Sequence, residues 1–380
     1  MKKLLAMILC AALLLTAGAA MAEGVIRLGG LAPLTGTYSE YGIGFEIGFG
    51  MAIDEINAAG GVNGYTFEVD VQDSEGDTVT STNLATQFAE DDSILAILGD
   101  FTSGACKANA EICDLYGITQ LSPTASASDY ASSSEWCFSI MGRQDIEAPY
   151  LAKYIIGKYL GAEKVAVVRV DSDWGLSSYS NFEAKAIDEG IEIVAHETYQ
   201  SGETDVSSII TKVRASNPDV LIVLDQGDSV SAIFNAADAD GWEIQHVALG
   251  PGTSEQLLGQ LTDPSNIILT SPFFFDPANE VTEAWRVAFE EKSGFSPTIH
   301  PACAYDTVYL IAEAVKAIGD GEVTREAIRD ALANVEYEGL TGTIKFTEDG
   351  DIARNYLICG GTADATWVVL EGFEYGAEGL

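Results

Sequence analysis

The chain has 380 residues, and its 58 acidic side chains against 19 basic ones give a formal charge of −39. So acidic a surface repels nucleic acid and anionic lipid and favours a soluble monomer, which excludes nucleic-acid binding and membrane-surface adsorption. At very roughly 150 residues per domain the length implies two domains, each able to bury its own core.

The first residues set the compartment. Lys2 and Lys3 precede a nearly all-apolar run from Leu4 to Leu15, and Ala20-Met21-Ala22 puts small residues at the −3 and −1 positions of a cut before Glu23. This is the pattern of a secretory signal peptide over residues 1–22. The run is short for a bilayer span of roughly 20 residues, and Cys10 lies inside it rather than at the cut, so neither a membrane anchor nor a lipidated cysteine is expected. Cleavage leaves 358 residues with a formal charge of −41.

Beyond the leader, strand-like runs alternate with helical patterns. Strands are expected at Val25–Leu31, Phe67–Gln72, Ile94–Leu98, near Ile118–Leu121, and at Trp136–Ile140, Val165–Val170, Ile191–Ala195, Val220–Leu224, His246–Leu249 and Ile267–Thr270. Runs such as Leu221-Ile222-Val223-Leu224 are apolar on both faces, which marks a parallel sheet covered by helices on each side. Between them Phe45, Phe49, Ala52, Ile53 and Ile56 follow helical spacing, as do Val206, Ile209, Ile210 and Val213, and then Val308, Ile311, Ala312 and Val315. Gly60-Gly61 stops the first of these helices and Asn217-Pro218 the second. The alternation predicts an α/β fold with parallel sheets. No linker-like stretch separates two domains, which suggests a chain that crosses between them more than once.

Five cysteines follow the leader: Cys106, Cys113, Cys137, Cys303 and Cys359. Export permits disulfides, and the odd count leaves at least one thiol free. Cys106 and Cys113 fall two turns apart on one helix, about 10 Å, too far to bridge, so Cys106–Cys137 is the expected pair. There is no CxxC pair and there are only three histidines, so no metal site is expected.

Ligands of open α/β sheets bind outside the carboxyl ends of strands, near helix N-termini. The loops so placed are Ala32 to Gly42, Gly99 to Gly104, and Ser122-Pro123-Thr124-Ala125-Ser126. Hydroxyls beside free backbone N–H groups suit a carboxylate, although Ser and Thr at such places also serve as plain N-caps. Enzymatic patterns are missing. Gly42-Ile43-Gly44 followed by Gly48 is not a dinucleotide fingerprint, no GK[ST] occurs, and no serine sits in GxSxG or SxxK. Asp171-Ser172-Asp173 lacks the spaced oxygens of a calcium loop, and Asp306 reads as a charge near a helix start. Catalysis and cofactors are not expected.

Pro33-Leu34-Thr35-Gly36, Tyr41-Gly42, the run from Asp54 to Gly64 and Asp73-Ser74 together resemble the opening of the branched-chain amino-acid-binding proteins. These are type I periplasmic binding proteins that serve ATP-driven importers. The resemblance continues through Gly99 to Ser103, Leu121 to Ser126, Asp173-Trp174-Gly175 and Tyr305-Asp306, over nearly the whole mature chain. It implies two Rossmann-like lobes joined by three crossovers, closing on ligand by hinge motion. Lobe 1 would comprise residues 23–142 plus 273–340, and lobe 2 residues 143–272 plus 341–380. It implies a periplasmic, monomeric protein that binds an amino acid or related small carboxylate and delivers it to an ABC-transporter membrane permease. A ligand-sensing module is the alternative use of the same fold.

The resemblance also assigns residues. Ser103 and Ser126, with backbone help from the Thr124-Ala125 loop, would grip the ligand's carboxylate, Tyr41 would supply an aromatic of the first loop, and Trp174 would be the lid of the second lobe. Two positions depart from the pattern. Amino-acid binders place a glutamate, which pairs with the ammonium, where Gly252 stands here, and the loop that normally carries a tyrosine reads Asp225-Gln226-Gly227-Asp228. A buried cation without a paired acid costs several kcal/mol. Either Asp225 supplies the charge from a new direction or the ligand has no ammonium.

Overall fold

The computed structural model describes residues 24–203, 205–226, 229–250 and 252–372. The expected signal peptide, Gly227, Asp228 and the last eight residues lie outside that set. Two parallel-stranded sheets, each flanked by helices, carry the fold.

The first sheet takes β1 (Gly24–Ala32), β2 (Tyr65–Asp73), β3 (Ile94–Leu98), β4 (Thr119–Ser122) and β5 (Cys137–Ser139) in the order β2-β1-β3-β4-β5, all parallel. It is wrapped by α1 (Ser39–Ala58), α2 (Thr78–Glu90) and α3 (Ser103–Tyr116). Helix α1 ends where Gly60 and Gly61 take left-handed φ values of +102° and +75°. A side chain at Gly61 would also collide with the Tyr65 carbonyl, 2.0 Å from its Cβ position.

The chain then crosses to the second lobe. There α4 (Gln144–Tyr150) runs on as a π-helical coil over Leu151–Leu160. Next come β6 (Lys164–Val170), α5 (Asp173–Glu189), β7 (Glu192–Tyr199), α6 (Ser207–Ala215), β8 (Val220–Leu224), α7 (Ser229–Ala239), β9 (Gln245–Leu249), α8 (Glu255–Gln260) and β10 (Ile267–Ser271). All five residues of β8 are buried, as its unbroken apolar run requires of a central strand. After β10 the chain returns to the first lobe for α9 (Glu280–Ser293), α10 (Ile299–Ile318), α11 (Arg325–Leu332) and an antiparallel hairpin, β11 (Glu336–Gly339) with β12 (Gly342–Lys345). It finishes in the second sheet with β13 (Leu357–Gly361) and β14 (Trp367–Gly372), giving the order β14-β13-β10-β9-β8-β6-β7. These last two strands are antiparallel additions at the edge of a parallel sheet.

The third crossing differs from the boundary expected at 340/341. Ile344, Phe346 and Ile352 pack into the first lobe's core, with Phe346 edge-on to Phe138 at 5.0 Å, whereas Tyr356 and Ile358 belong to the second. The crossing therefore falls after Ile352. Burial of three large apolar side chains outweighs any local signal, at about 1.5–3 kcal/mol apiece.

The crossings are tied to one another. Arg354 donates to the Ile140 carbonyl through Nε (3.1 Å) and Nη2 (2.7 Å) and to Thr341 Oγ1 at 3.0 Å. Asp306, expected as a charge near a helix start, instead sits buried well inside α10. Its carboxylate accepts the Leu340 and Thr341 amides at 2.8 and 2.9 Å and the Thr341 hydroxyl at 2.7 Å, which anchors the hairpin turn. The cysteine expectation also fails. All five described cysteines are free and buried, and Cys106 donates to the Asp100 carbonyl at 3.3 Å rather than bonding to Cys137.

Candidate functional site

The loops that leave the carboxyl ends of β1, β3 and β4 in the first lobe face those of β6, β8 and β9 in the second. Ser103 is the first residue of α3, behind the N-cap Thr102, and is 2% exposed. Its Oγ accepts the backbone N–H groups of Ser126 and Ala127, both at 3.2 Å. Ser126 Oγ accepts Trp174 Nε1–H at 3.0 Å and Gln144 Nε2–H at 3.2 Å, both from the opposite lobe. A hydroxyl oxygen has two acceptor lone pairs and one proton. With both lone pairs engaged, each serine presents its O–H as a donor. A buried hydroxyl donor suits an anionic oxygen; of the two, Ser126 lines the central cavity and Ser103 does not.

Thr124 and Ala125 play a different part from the one expected. Their amides donate to Ser122 Oγ at 3.2 and 2.9 Å, and the Thr124 hydroxyl donates to the Phe101 carbonyl at 2.9 Å. Ser122 thus consumes the N–H groups that would have helped hold a carboxylate. These residues shape the loop.

Tyr41 lies in the first turn of α1, its ring stacked on Phe101 at 4.7 Å and edge-on to His300 at 4.6 Å. Its phenol donates to the Gln226 carbonyl across the cleft. Trp174, 4% exposed, sits at the second position of α5, whose N-cap Ser172 accepts the Gly175 amide at 3.1 Å. The indole fits because residue 250 is glycine: a Cβ there would stand 2.6 Å from the ring, and its φ of +115° suits only glycine.

Asp225 does not supply a charge to the cleft's interior. It is buried at the end of β8, where Oδ2 accepts the Tyr199 phenol at 2.5 Å and Oδ1 accepts the Gln226 amide at 2.6 Å. The central cavity is lined instead by Ser126, Trp174, Gln226, Gly252, Gln144, Glu147, Thr270 and His300, among others, and encloses about 20 Å³. That is room for roughly one water molecule. The lobes stand closed, further joined by Ser128–Ser177 (3.3 Å), Ser201–Tyr38 (3.1 Å) and Lys107–Asp173 (3.6 Å) contacts. A wider groove of about 490 Å³ on the first lobe, lined by Ser134, Glu135, Arg329 and Gly350 among others, shares no residue with the cleft.

The sequence alone does not single out Gln144 or Glu147. Gln144 Nε2 donates both to Ser126 Oγ and to Glu147 Oε2 (2.9 Å), while its Oε1 accepts the Ser178 hydroxyl at 3.0 Å. Glu147 Oε1 accepts the Thr270 hydroxyl at 2.8 Å. Burial pushes the Glu147 carboxyl up to about 7 against the pull of those two bonds. His300, whose Nδ1 meets Thr298 Oγ1 at 2.8 Å, is pushed down to about 3 by burial and is neutral near pH 7. The one signal in the sequence is the i, i+3 spacing of Gln144 and Glu147 just past the first crossing, in a first turn that also carries Asp145.

Two α/β lobes, three crossings and a closed cleft lined by donors at strand ends define a hinged small-molecule binding protein. The chain belongs to the periplasmic binding protein family, whose model matches residues 25–364. It is similar to a Leu/Ile/Val-binding protein homologue of Brucella melitensis, with 26% identity covering 92% of this chain and 93% of the relative. It is also similar to the substrate-binding protein of a branched-chain amino-acid transporter from Streptococcus pneumoniae, solved with isoleucine: 26% identity, TM-score 0.84, covering 92% of this chain and 99% of the other. A benzoate-bound solute-binding protein of an ABC transporter from R. palustris shares the fold at TM-score 0.83 and 20% identity, covering 92% and 96%. No helix among the described residues is long and apolar enough to cross a membrane.

Proposed function

We propose that this chain captures a small carboxylate-bearing solute, in first place an amino acid, between its two lobes and delivers it to the permease of an ABC importer. In this reading it is exported behind the 1–22 signal peptide, works as a monomer in the periplasm and performs no covalent chemistry. The observation that carries the reading is the pair of hydroxyls, Ser103 and Ser126, each accepting two N–H bonds and so each left with a proton to donate. The Brucella and Streptococcus relatives, named for branched-chain amino acids, support the same ligand class.

Closure follows from the geometry. A ligand held by the first lobe completes the surface against which Trp174 and Gln226 come down, so the closed state gains whatever contacts the ligand makes to the second lobe. Gly252, where the resemblance places a glutamate, keeps an amine-free carboxylate as the second reading. A thermal-shift screen of amino acids and organic acids against the mature chain tests the proposal, because a ligand that binds only the folded state raises the melting temperature. Shifts from amides or sugars with none from any carboxylate would overturn it.

A further inference from the structure

Within the closed cleft the acid that the resemblance expects at residue 252 has no counterpart on that loop. Gly252 has a φ of +64°, and a Cβ there would face His300 Cε1 at 3.4 Å. Asp225 is held by Tyr199 and by a backbone amide and does not line the cavity. The carboxylate that does line it comes from a different element, the helix that opens the second lobe. Glu147 is 7% exposed, and the hydrogen bonds from Gln144 and Thr270 engage one lone pair on each oxygen. An ionised carboxylate offers about four such positions, so two remain for a donor entering from the cavity.

The spacing to the hydroxyl grip is fixed by one side chain. Gln144 Nε2 reaches Ser126 Oγ at 3.2 Å and Glu147 Oε2 at 2.9 Å, so those two oxygens stand no more than 6.1 Å apart. The ionised Glu147 carboxylate, which can only accept, sets the orientation of the amide and hence which end donates; the Ser178 hydroxyl, also 2.9 Å from the Trp174 carbonyl, can meet either end. An α-amino acid carries its acid and amine on one carbon, roughly 3 Å apart, which suits anchors at this separation.

Resting on the carboxylate-capture reading, we propose that Glu147, not a residue of the loop after β9, is the counter-charge for a protonated amine, making the ligand an α-amino acid. A buried acid is costly unless paired, and a ligand ammonium supplies the pair on closure. The groups that face Glu147 do not compete for this role. Gln144 and Thr270 donate to it, Tyr356 nearby is a neutral phenol kept so by burial, and His300, also lining the cavity, is neutral. Glu147→Gln is a near-isosteric test. Its amide can offer oxygen to Gln144 and nitrogen to the Thr270 hydroxyl, so both internal bonds have a replacement.

The experiment uses the mature chain at pH 8, screened by thermal shift against the twenty standard L-amino acids, their des-amino carboxylates and benzoate, with the hits titrated by calorimetry. The wild type is expected to take an amino acid at least 100-fold more tightly than the matched des-amino carboxylate, L-leucine against 4-methylpentanoate for example. The Glu147→Gln variant is expected to lose about 100-fold or more in affinity for the amino acid and to change less than fivefold toward the des-amino acid. An amino acid bound equally well by the variant overturns the proposal, and so does a wild type that prefers amine-free carboxylates, although carboxylate capture then stands. A wild type that binds neither class sinks the capture reading and this proposal together. Should that variant fail to fold, Glu147→Asp takes its place: it keeps the charge but withdraws it by one methylene, and it is expected to weaken the amino acid at least tenfold more than the des-amino acid, equal losses overturning the proposal.

Discussion

Replacing Trp174 separates the lid's hydrogen bond from its bulk. Trp174→Phe keeps an aromatic ring in the slot above Gly250 but removes the single Nε1–H bond to Ser126 Oγ. A neutral hydrogen bond contributes about 1 kcal/mol net, so ligand affinity should fall about fivefold. Trp174→Ala removes the ring as well. A tryptophan buries about 200 Å²; taking roughly half as the share facing the other lobe and ligand, at about 25 cal/mol per Å², gives about 2.5 kcal/mol. Together the two terms reach about 3.5 kcal/mol, or some 300-fold. Calorimetry on both variants, with melting temperatures as a check on folding, reads the series directly. An alanine variant no weaker than the phenylalanine one, or affinity unchanged in both, would refute the lid.

Ser103→Ala removes one donor to the ligand and strands two buried amides, so both the melting temperature and the affinity should fall, the latter by about 10- to 100-fold in the same titration. Gly250→Ala should displace the indole, given the 2.6 Å contact and the φ of +115°; a drop in binding-linked tryptophan fluorescence change would report it, and an unchanged signal would contradict it. Glu147 carries a stability cost in the free protein. Its carboxyl stands near 7 folded against 4.5 unfolded, so the native state binds more protons between those values and loses stability as pH rises through them. Urea melts at pH 8 should find Glu147→Gln more stable than wild type without ligand, by an amount on the order of 3 kcal/mol. Affinity for an amine-bearing ligand should correspondingly weaken as pH falls below 7, with proton release on binding. His246 has the opposite sign. Burial holds it down to about 4, stacked 4.3 Å from Phe234, so stability is intact above pH 6.5 and is lost as pH falls toward 4, by about 2 kcal/mol at pH 5. A His246→Leu variant should flatten that slope between pH 7 and 5 in urea melts.

The strands Ile94–Leu98 and Val220–Leu224 are legible to the residue because a central parallel strand must be apolar on both faces and is bounded by turns. The antiparallel strands β13 and β14, added at one side of the sheet, are not. Gly360 and Gly361 dilute the apolar signal, and they are glycines because Leu370 Cδ1 and the Pro264 carbonyl crowd their Cβ positions at 2.6 and 2.0 Å. The third crossing lies about a dozen residues beyond the expected boundary because nothing local marks it; only the burial of Ile344, Phe346 and Ile352 does. In the site, the strand-end rule leads to Ser126 and Trp174, whose side chains bond across the cleft, and to Ser103 and Tyr41, which do not line its cavity. It also leads to Asp225, where alternation of side-chain direction at a strand end cannot be read from composition. Gln144, Glu147 and His300 stand in the first turn of helices beyond a crossing, so their arrival at the cleft depends on how the lobes pack.

The most direct measurement is a crystal structure of the mature chain with the solute that gives the largest thermal shift. It should place a carboxylate within hydrogen-bonding distance of both Ser103 Oγ and Ser126 Oγ, beneath Trp174, with the lobes closed. A bound solute whose acid group points away from those two hydroxyls, or that sits outside the cleft between the lobes, would contradict the account.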